Sequence, residues 1–375
     1  MSRGMTSETR TRRLDVATKF KVGVTRDFGP GGELEGLLDS ALAELLDPVP
    51  NITFEFLDEY KPVVSADQVE GFDVVITGEP VWTAESFRGL SRLSGVAFWG
   101  AGFNDIDVKA ATEADVIVSI TTPAVRRPVA ESAVGFMLAL SKNMVVKDRL
   151  TRDGRLGPDE RMKHTGILIH DRVIGCVGFG NVGQEFVRLA KAFEPSRVLV
   201  TDPHVSRERA AAAGVEVVDL ASLLRESDFV VVMCPLTEQT RGMLGRDQFH
   251  SMKRSAFLIN VGRGKIVKQA ELEEALREGW IKGAALDVFE KEPPDSADPI
   301  LKLDNVIVTA HCITWTEEMY RDNGVQDCLA ALSVFHGTPP AYVANREVLE
   351  RPRLQEKLAA YAAAALSAPA TRRRE

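Results

Sequence analysis

Short apolar runs alternate regularly with helical patterns between residues 173 and 309, and this alternation limits the possible folds to a small set. The runs are almost continuous in Val, Ile and Leu, as in Val173–Val177 and Phe229–Met233. Strands buried on both faces have this composition, and they occur in parallel sheets covered by helices. The pattern predicts five strands in βα succession, which is enough for a doubly wound nucleotide-binding fold.

A second and weaker βα series lies in residues 20–100 of the 375-residue chain, so we expect two domains. The predicted fold class is α/β, with two doubly wound parallel-sheet domains, one of Rossmann type and one flavodoxin-like. The alanine-rich C-terminal stretch predicts a loosely packed helix or disorder. The predicted boundaries are a disordered tail at 1–19, a flavodoxin-like domain at 20–122 completed by 312–350, a Rossmann domain at 123–311, and a helical or disordered tail at 351–375.

Composition excludes several functional classes. The chain carries 46 Lys and Arg against 54 Asp and Glu, a formal charge of −8, which argues against nucleic-acid binding. No apolar run approaches the ~18 residues of a membrane span. The N-terminus lacks the apolar segment of a secretory signal. The four cysteines show no Cys-x-x-Cys spacing, so we expect no metal site, no disulfide framework and a cytoplasmic location.

A glycine-rich motif, Gly178-Phe-Gly180-Asn-Val-Gly183, follows an apolar strand and opens a helix. The first glycine permits a tight turn, the second lets the backbone approach a pyrophosphate, and the third allows close packing of helix on strand. The helix N-terminus presents free N–H groups and a partial positive charge. Gly178, Gly180, Asn181, Val182 and Gly183 are therefore predicted to bind a dinucleotide.

Asp202 ends the next apolar strand, 19 residues after Gly183. An acidic side chain at about this offset bonds the adenosine ribose hydroxyls in dinucleotide-binding folds. Because a carboxylate there would repel a 2′-phosphate, the sequence favours NAD over NADP. Arg207 and Arg209 lie nearby and weaken this preference.

Several further motifs follow one another along the chain. They are Gly100-Ala-Gly102 with Asp105-Ile-Asp107, Thr122-Pro123 with Val129-Ala-Glu131, Cys234-Pro-Leu-Thr-Glu-Gln-Thr240, Ile259-Asn-Val-Gly-Arg-Gly264, Ala285-Leu-Asp-Val-Phe-Glu-Lys-Glu-Pro293 and Thr309-Ala-His311. In their order and spacing the chain resembles the D-isomer-specific 2-hydroxyacid dehydrogenase family over residues 20–350. This resemblance implies hydride transfer between NAD(H) and a small 2-hydroxy or 2-keto acid.

The resemblance implies a catalytic triad. Arg263 would grip the substrate carboxylate and help polarise the ketone through its planar fork of donors. The developing alkoxide needs a proton, and His311 alone among six histidines ends a cofactor-domain strand, where such sheets bind ligands. The family places a carboxylate beside this histidine, which here is Glu292, and Glu290 is its rival within the same loop.

Further positions follow from the same resemblance. Asp287 matches the position that holds the nicotinamide carboxamide. The remaining predicted cofactor-binding residues are Cys234, Pro235, Thr240, Val261 and Gly262. The predicted substrate-binding residues are Gly78, Glu79, Ala101, Gly102 and Arg263. Most relatives dimerise, so we also expect a homodimer, with residues 129–161 crossing to the partner.

The sequence departs from the family pattern near the substrate. Phe98 stands where phosphoglycerate-type members often have arginine, and Trp82, Trp99 and Trp315 fall in loops assigned to the substrate. We therefore expect apolar or aromatic 2-keto acids to outcompete 3-phosphohydroxypyruvate, although the sequence does not name the substrate.

Two alternative functions remain open at this point. One is a non-catalytic, NAD-binding corepressor-like protein, which the acidic charge disfavours. The other is a phosphite or formate dehydrogenase on the same fold. Formate enzymes of this kind carry Gln where Glu292 stands, whereas phosphite enzymes share the triad.

Overall fold

The computed structural model describes residues 19–366, so the tails predicted for residues 1–18 and 367–375 lie outside the described residues. The chain separates into two compact units. The first contains the described residues up to Trp99, then Asp105–Thr121, and those from Gly324 onward. The second contains Gly100–Asn104 and Thr122–Asn323.

The described residues form parallel strands and covering helices. The strands are β1 (Phe20–Val24), β2 (Ile52–Phe56), β3 (Val74–Thr77), β4 (Gly95–Phe98), β5 (Ile117–Ile120), β6 (Val173–Val177), β7 (Arg197–Thr201), β8 (Glu216–Val217), β9 (Phe229–Val232), β10 (Phe257–Asn260), β11 (Gly283–Leu286) and β12 (Val306–Val308). The helices are α1 (Asp39–Ala41), α2 (Ala66–Val69), α3 (Val108–Glu113), α4 (Thr122–Ser141), α5 (Met144–Arg152), α6 (Pro158–Lys163), α7 (Asn181–Ala190), α8 (Arg207–Ala212), α9 (Leu220–Glu226), α10 (Arg246–Ser251), α11 (Gln269–Arg277), α12 (Glu317–Phe335) and α13 (Pro352–Leu366).

The first unit is built on a five-stranded parallel sheet of order β2-β1-β3-β4-β5, which is the flavodoxin-like order. The strands β3 and β4 are buried throughout, as expected for strands covered on both faces. The apolar core lies against this sheet and includes Val22, Ile76 and residues of α12 such as Val334.

The C-terminal helix α13 belongs to this core, so the expectation of a loosely packed helix over its residues is wrong. Leu354 and Leu358 are buried in the core of the first unit. The hydroxyl of Tyr361 donates a hydrogen bond of 2.8 Å to the carboxylate of Asp73, the residue directly before β3. The alanines that suggested loose packing permit the close approach of α13, as at Ala362, which faces Gly337.

The second unit is built on a seven-stranded parallel sheet of order β12-β11-β10-β9-β6-β7-β8. Two of these strands, β8 and β11, were not among the predicted ones. The strand β8 has two exposed residues at the edge of the sheet, and β11 reads Gly-Ala-Ala-Leu, without the bulky branched residues that signal a strand. The prediction of two doubly wound parallel-sheet domains is confirmed.

The core of the second unit consists of two apolar clusters, one on each face of the seven-stranded sheet. One cluster joins Phe186 of α7 to β6 and β9, and the other joins Leu272 of α11 to β10 and β11. Among the described residues, no single helix is long and apolar enough to cross a membrane, and only α4 and α5 taken together, bent by 60°, reach that length and composition.

Candidate active site

Most of the predicted cofactor-binding and catalytic residues lie at the carboxyl edge of the seven-stranded sheet. The chain builds β6, β7 and β8 in one direction and then returns to add β9 to β12 on the other side of β6. Ligands of open α/β sheets bind at the carboxyl edge where the strand order reverses, here between β6 and β9.

The glycine motif forms the turn from β6 into α7. Gly178 has a φ of 100°, and a Cβ atom there would lie 2.8 Å from the Cα atom of Cys234. A Cβ atom at Gly183 would lie 2.5 Å from the carbonyl oxygen of Gly178, whereas a Cβ at Gly180 would meet no atom within 4 Å. The turn is therefore closed on its inner side and open at Gly180, the N-cap of α7, where a pyrophosphate would lie. These residues fit a dinucleotide.

Asp202 follows β7 and is tied to this turn. Its Oδ2 atom accepts a hydrogen bond of 2.7 Å from the Phe179 N–H, and its Oδ1 atom accepts one of 2.8 Å from the His204 N–H. Each carboxylate oxygen keeps further lone pairs for a ribose hydroxyl. Arg209, whose charge was the argument against a strict preference for NAD, donates from Nε to the side chain of Gln184 at 3.3 Å.

The segment after β9 also lies at this edge. Burial raises the pKa of the Cys234 thiol to about 11, and the neighbouring charge of Asp202 acts in the same direction. The Thr240 hydroxyl donates to the carbonyl of Pro235 at 2.7 Å and thereby closes the loop between them. Cys234 adjoins the glycine turn, whereas the hydrogen bonds of Thr240 stay within its own loop.

The turn after β10 carries Arg263 and is braced by a side chain that the sequence analysis did not single out. Asn260 is 1% exposed, accepts a hydrogen bond from the Gly262 N–H at 3.1 Å and donates to the carbonyl of Arg263 at 3.2 Å. This asparagine satisfies the backbone of the turn from within, so the turn keeps one shape. Val261, one of the predicted cofactor residues, continues the ladder by donating to the Val232 carbonyl.

Three donors of the Arg263 guanidinium are held in place. Nη2 donates to the Gly102 carbonyl at 3.0 Å, Nη1 to the Gly262 carbonyl at 2.8 Å, and Nε to the side chain of Asn104 at 3.3 Å. A Cβ atom at Gly102 would overlap Nη2. The planar group is therefore fixed against the backbone of residues 100–104, where any larger residue at Gly102 would displace it.

Glu292 and Glu290, the two rival carboxylates, have different partners. Glu290 accepts from the Gln269 N–H at 3.1 Å, and its own N–H donates to the Gln269 side chain at 3.1 Å. Glu292 accepts from the Phe289 N–H at 2.9 Å and lies 2.8 Å from Nδ1 of His311. The structure thus brings Glu292, and not Glu290, to the histidine.

Burial and hydrogen bonding act in opposite directions on Glu292. Burial alone would raise the pKa of its carboxyl group. The hydrogen bonds from His311 and Phe289, with the charges of His311 and Arg263, outweigh burial and hold that pKa below its ordinary value. Glu292 is therefore an anion at neutral pH, beside both a histidine and a guanidinium.

His311 stands on a loop with an unusual backbone conformation. Its φ is 56°, in the left-handed region that non-glycine residues avoid at a cost of about 1–3 kcal/mol. Its side chain is 46% exposed, so the ring is reachable from solvent while Nδ1 faces Glu292. A ring held at Nδ1 leaves Nε2 to exchange a proton with a ligand.

Asp287 follows β11 and is 3% exposed. Its Oδ1 atom accepts from the Thr309 hydroxyl at 2.7 Å and from the backbone N–H groups of Cys312 and Ile313 at 3.1 and 3.2 Å. The carboxylate therefore lies beneath the His311 loop and holds it by hydrogen bonds. The expected role of Asp287, binding of the nicotinamide carboxamide, did not predict these contacts.

The remaining predicted substrate residues lie on turns of either unit. Ala101 is half-buried beside Gly102 in the second unit. In the first unit, Gly78 and Glu79 follow β3, and the Glu79 N–H donates to Asp27 Oδ2 at 2.9 Å. A Cβ atom at Gly78 would lie 2.5 Å from the same Asp27 oxygen, so glycine is required there.

The tryptophans give little support to an apolar substrate pocket. Trp82 is 1% exposed, packs at a tilt against Phe87 with ring centroids 5.4 Å apart, and donates from Nε1 to the Thr77 hydroxyl at 3.1 Å. Trp99 packs on Phe28 with ring centroids 5.0 Å apart. Both rings are thus packing elements of the first unit. The aromatic pocket was expected from Trp82, Trp99 and Trp315, and the first two pack within the first unit instead. Trp315, in the second unit, is 53% exposed and lies near Tyr320 with ring centroids 5.9 Å apart.

Relatives of this chain are dehydrogenases. A sequence model described as D-isomer specific 2-hydroxyacid dehydrogenase, NAD binding domain, matches residues 134–312. The chain is 36% identical over 290 residues to a glyoxylate reductase from Korarchaeum cryptofilum, covering 76% of this chain and 87% of the relative. It is 35% identical over 277 residues to a D-3-phosphoglycerate dehydrogenase from Archaeoglobus fulgidus, covering 74% of this chain and 52% of the relative. The chain thus spans about half the length of the latter.

A solved structure from Thermus thermophilus has the same fold, with a TM-score of 0.74 and 26% identity, covering 87% of this chain and 100% of that protein. The chain belongs to the D-isomer specific 2-hydroxyacid dehydrogenase family. The prediction of an NAD-dependent oxidoreductase that acts on 2-hydroxy or 2-keto acids is confirmed at the level of this family.

Proposed function

We propose that this chain interconverts a small 2-keto acid and its D-2-hydroxy acid with NAD(H), using Arg263, Glu292 and His311. The observation that carries the proposal is the pairing of His311 Nδ1 with Glu292 Oε2 at 2.8 Å, with Arg263 close enough to lower the pKa of the same glutamate. An anion, a proton carrier and a fixed cation are what acid–base chemistry on a keto acid requires.

The dinucleotide would be held by the turn from Gly178 to Gly183, by Asp202 and by the backbone at Cys234, Val261 and Gly262. When bound, NADH supplies the hydride. The open position at Gly180 lets the backbone approach the pyrophosphate, and Asp202 meets the ribose hydroxyls. The adjacent N–H groups at the start of α7 add a favourable field for the phosphates.

Arg263 would bind the substrate carboxylate and withdraw electron density from the carbonyl. Its guanidinium is already immobilised by the carbonyls of Gly102 and Gly262, so little conformational freedom is lost when a substrate binds. A planar fork of donors matches a carboxylate in two-point geometry. The fixed position orients the ketone carbon for attack from one face.

His311 would protonate the alkoxide in reduction and remove the same proton in oxidation. Glu292 accepts a hydrogen bond from Nδ1, which fixes the tautomer and the orientation of the ring. The proton therefore leaves from Nε2, the other ring nitrogen. After transfer, the neutral ring stays hydrogen-bonded to Glu292 and takes up a new proton from solvent, to which it is 46% exposed.

We propose that unphosphorylated substrates are preferred. Phe98 stands where phosphoglycerate-type members of the family often have arginine, so this position lacks the cation that would bind a substrate phosphate. The named relatives include glyoxylate reductases and phosphoglycerate dehydrogenases, and the missing arginine favours the former kind of substrate.

We further propose a cytoplasmic homodimer without nucleic-acid or membrane partners. All four cysteines are free thiols, in keeping with a reducing compartment. The second unit exposes large apolar side chains that a partner subunit would cover. These are Met144, Val145, Met162 and Leu168, which are between 51% and 75% exposed. Light scattering coupled to size-exclusion chromatography tests the dimer, and a monomer of 41.1 kDa would contradict it.

The experiment that tests the activity is NADH oxidation with glyoxylate, hydroxypyruvate, 2-ketoisocaproate, phenylpyruvate and 3-phosphohydroxypyruvate, with chiral analysis of each product that has a stereocentre. We expect turnover with unphosphorylated 2-keto acids and D products. Reduction of NAD⁺ to NADH by phosphite or formate, without turnover of the 2-keto acids, would indicate the other dehydrogenase class. NADH binding without turnover of any of these compounds would indicate a corepressor-like protein.

A further inference from the structure

The loop that carries His311 is held in its strained conformation by its own backbone contacts. The His311 N–H donates to the carbonyl of Asp287 at 2.6 Å and to that of Thr309 at 2.8 Å. The Thr309 N–H in turn donates to the Leu286 carbonyl at 3.0 Å. Both strands, β11 and β12, therefore contribute to the placement of this one residue.

One oxygen atom of the buried Asp287 side chain accepts hydrogen bonds from several other residues of the loop. Asp287 Oδ1 accepts from the Thr309 hydroxyl, which precedes His311, and from the N–H groups of Cys312 and Ile313, which follow it. These donors come from both sides of the histidine, so the loop cannot rotate about His311 without breaking at least one of them. A buried carboxylate with several donors is more rigid than a neutral acceptor because its hydrogen bonds are charge-assisted.

A second anchor lies on the far side of the loop. The Ser132 hydroxyl, on α4, donates to the carbonyl of Ile313 at 3.1 Å. This bond fixes the residue at which the chain leaves the loop. Asp287, Thr309 and Ser132 together form what we term the loop brace, and none of the three hydrogen-bonds the His311 side chain.

We infer that the loop brace positions His311 so that Nδ1 meets Glu292 and Nε2 faces the substrate, and that it thereby sets the rate of proton transfer. This inference rests on the proposed function of His311 as the proton donor. Thr309 and Ser132 are positioning residues, because they act through the loop and not on the reacting atoms. Small errors in the placement of a catalytic group reduce rates strongly, so loss of one brace bond has a kinetic cost.

The test replaces Thr309 with Val, which has nearly the same shape but lacks the hydroxyl that reaches Asp287. We expect Thr309→Val to lower kcat by about tenfold or more, as for loss of one charge-assisted hydrogen bond. The Kd for NADH should stay within about twofold, because the dinucleotide loop is untouched. Thr309→Ser keeps the hydroxyl and should restore most of the rate. Thr338→Val is a matched control, since that exposed threonine bonds only the Ser333 carbonyl.

The same substitution in a His311→Gln variant separates a positioning role of Thr309 from general destabilisation of the protein. If Thr309 acts through the histidine, Thr309→Val should cost almost nothing further in a His311→Gln variant. Ser132→Ala should repeat the pattern more weakly. An unchanged kcat in Thr309→Val, or an equal loss in both backgrounds, would overturn the inference. Failure of the wild-type enzyme to reduce any 2-keto acid would instead overturn the proposed function, and the role of the brace with it.

Discussion

The seven-stranded sheet uses its carboxyl edge in two different ways. At the nucleotide end, the loops after β6 and β7, the binding groups are mainly backbone. Gly178 and Gly183 permit close approach of neighbouring backbone, and Gly180 leaves the N-cap of α7 open. Asp202 is the one predicted ligand side chain there. At the catalytic end, the loops after β10, β11 and β12, the catalytic groups are side chains. Arg263 is held by three hydrogen bonds and Glu292 by two, whereas the His311 ring is held by one and by the contacts of its loop.

This difference reflects what each end must do. A pyrophosphate is recognised by N–H groups whose directions are fixed once the turn is formed, so few side chains have to be placed. Proton transfer and carboxylate binding need a histidine and a guanidinium in fixed positions. Hydrogen bonds to Asn260 and Gly102 hold the backbone and the guanidinium of Arg263, and hydrogen bonds to Asp287 hold the His311 loop. We therefore expect NADH affinity and turnover to respond to different substitutions.

The largest effect should come from His311→Gln. Glutamine keeps polarity but cannot transfer a proton at neutral pH, so kcat for reduction should fall by roughly 10²–10⁴, the usual contribution of general acid–base catalysis. The Kd for NADH, measured by fluorescence titration, should change little, since His311 makes no contact with the glycine turn. A variant that keeps near-normal turnover would move the acid–base role to another group.

Gly102→Ala should give the next largest effect. The new methyl group would overlap Nη2 of Arg263 and displace the guanidinium, so we expect kcat/KM for the keto acid to fall by roughly 10²–10³, as for loss of one oriented donor. Gly71→Ala, in the turn before β3, is the matched control, because a Cβ atom there meets nothing within 4 Å. Equal kinetics for the two variants would show that the position of Arg263 is not critical.

Asp202→Asn tests the nucleotide end. Asparagine keeps one acceptor for the local backbone but loses the charge, so kcat/KM for NADH should fall by about tenfold, and the ratio of NADH to NADPH use should fall with it. The turnover at saturating NADH should stay near that of the wild type. Asp219→Asn makes the same chemical change at the N-cap of α9 and should leave cofactor choice unaltered. An unaltered cofactor ratio in Asp202→Asn would remove Asp202 from the ribose site.

Glu292→Gln should remove a pH dependence and lower a rate modestly. The pKa of Glu292 lies below its ordinary value of 4.5, so the carboxylate stays charged as pH falls towards that value, and the wild type should lose reductive activity only when pH falls through this lowered pKa. Glutamine has no carboxyl group to titrate, so this loss at low pH should be absent in the variant. Its rate at neutral pH should be about tenfold lower, because the hydrogen bond to Nδ1 of His311 is no longer charge-assisted. A variant with the rate and the pH profile of the wild type would mean that Glu292 does not act on His311.

The sequence predicted the nucleotide end better than the catalytic end. Only glycine suits the close approaches at Gly178 and Gly183, and those glycines stand within six residues of one another, next to a strand and a helix. By contrast, Gly102 contacts a guanidinium 161 positions away, so its requirement cannot be seen in the local sequence. Asn260 offered a local signal, an asparagine at the end of a strand before a turn, but the sequence alone indicated no role for it.

The fold was predictable where side chains are bulky and unpredictable where they are small. Strands rich in Val and Ile, such as β6 and β9, were identified, whereas β11 was missed because its glycine and alanines carry no strand signal. The helix α13 was misjudged for a related reason. Its alanines read as weakly packing, but two leucines and Tyr361 fix it to the first unit. Packing partners that are distant in sequence decided both cases.

The separation of affinity from turnover is the central claim, and one paired measurement tests it most directly. The Kd for NADH and the single-turnover rate of NADH oxidation at saturating keto acid should be determined for His311→Gln, Gly102→Ala and Asp202→Asn. We predict that the first two lower the rate at nearly constant Kd, and that the third raises Kd at nearly constant rate. A rise in the Kd of His311→Gln in proportion to its loss of rate would contradict the account.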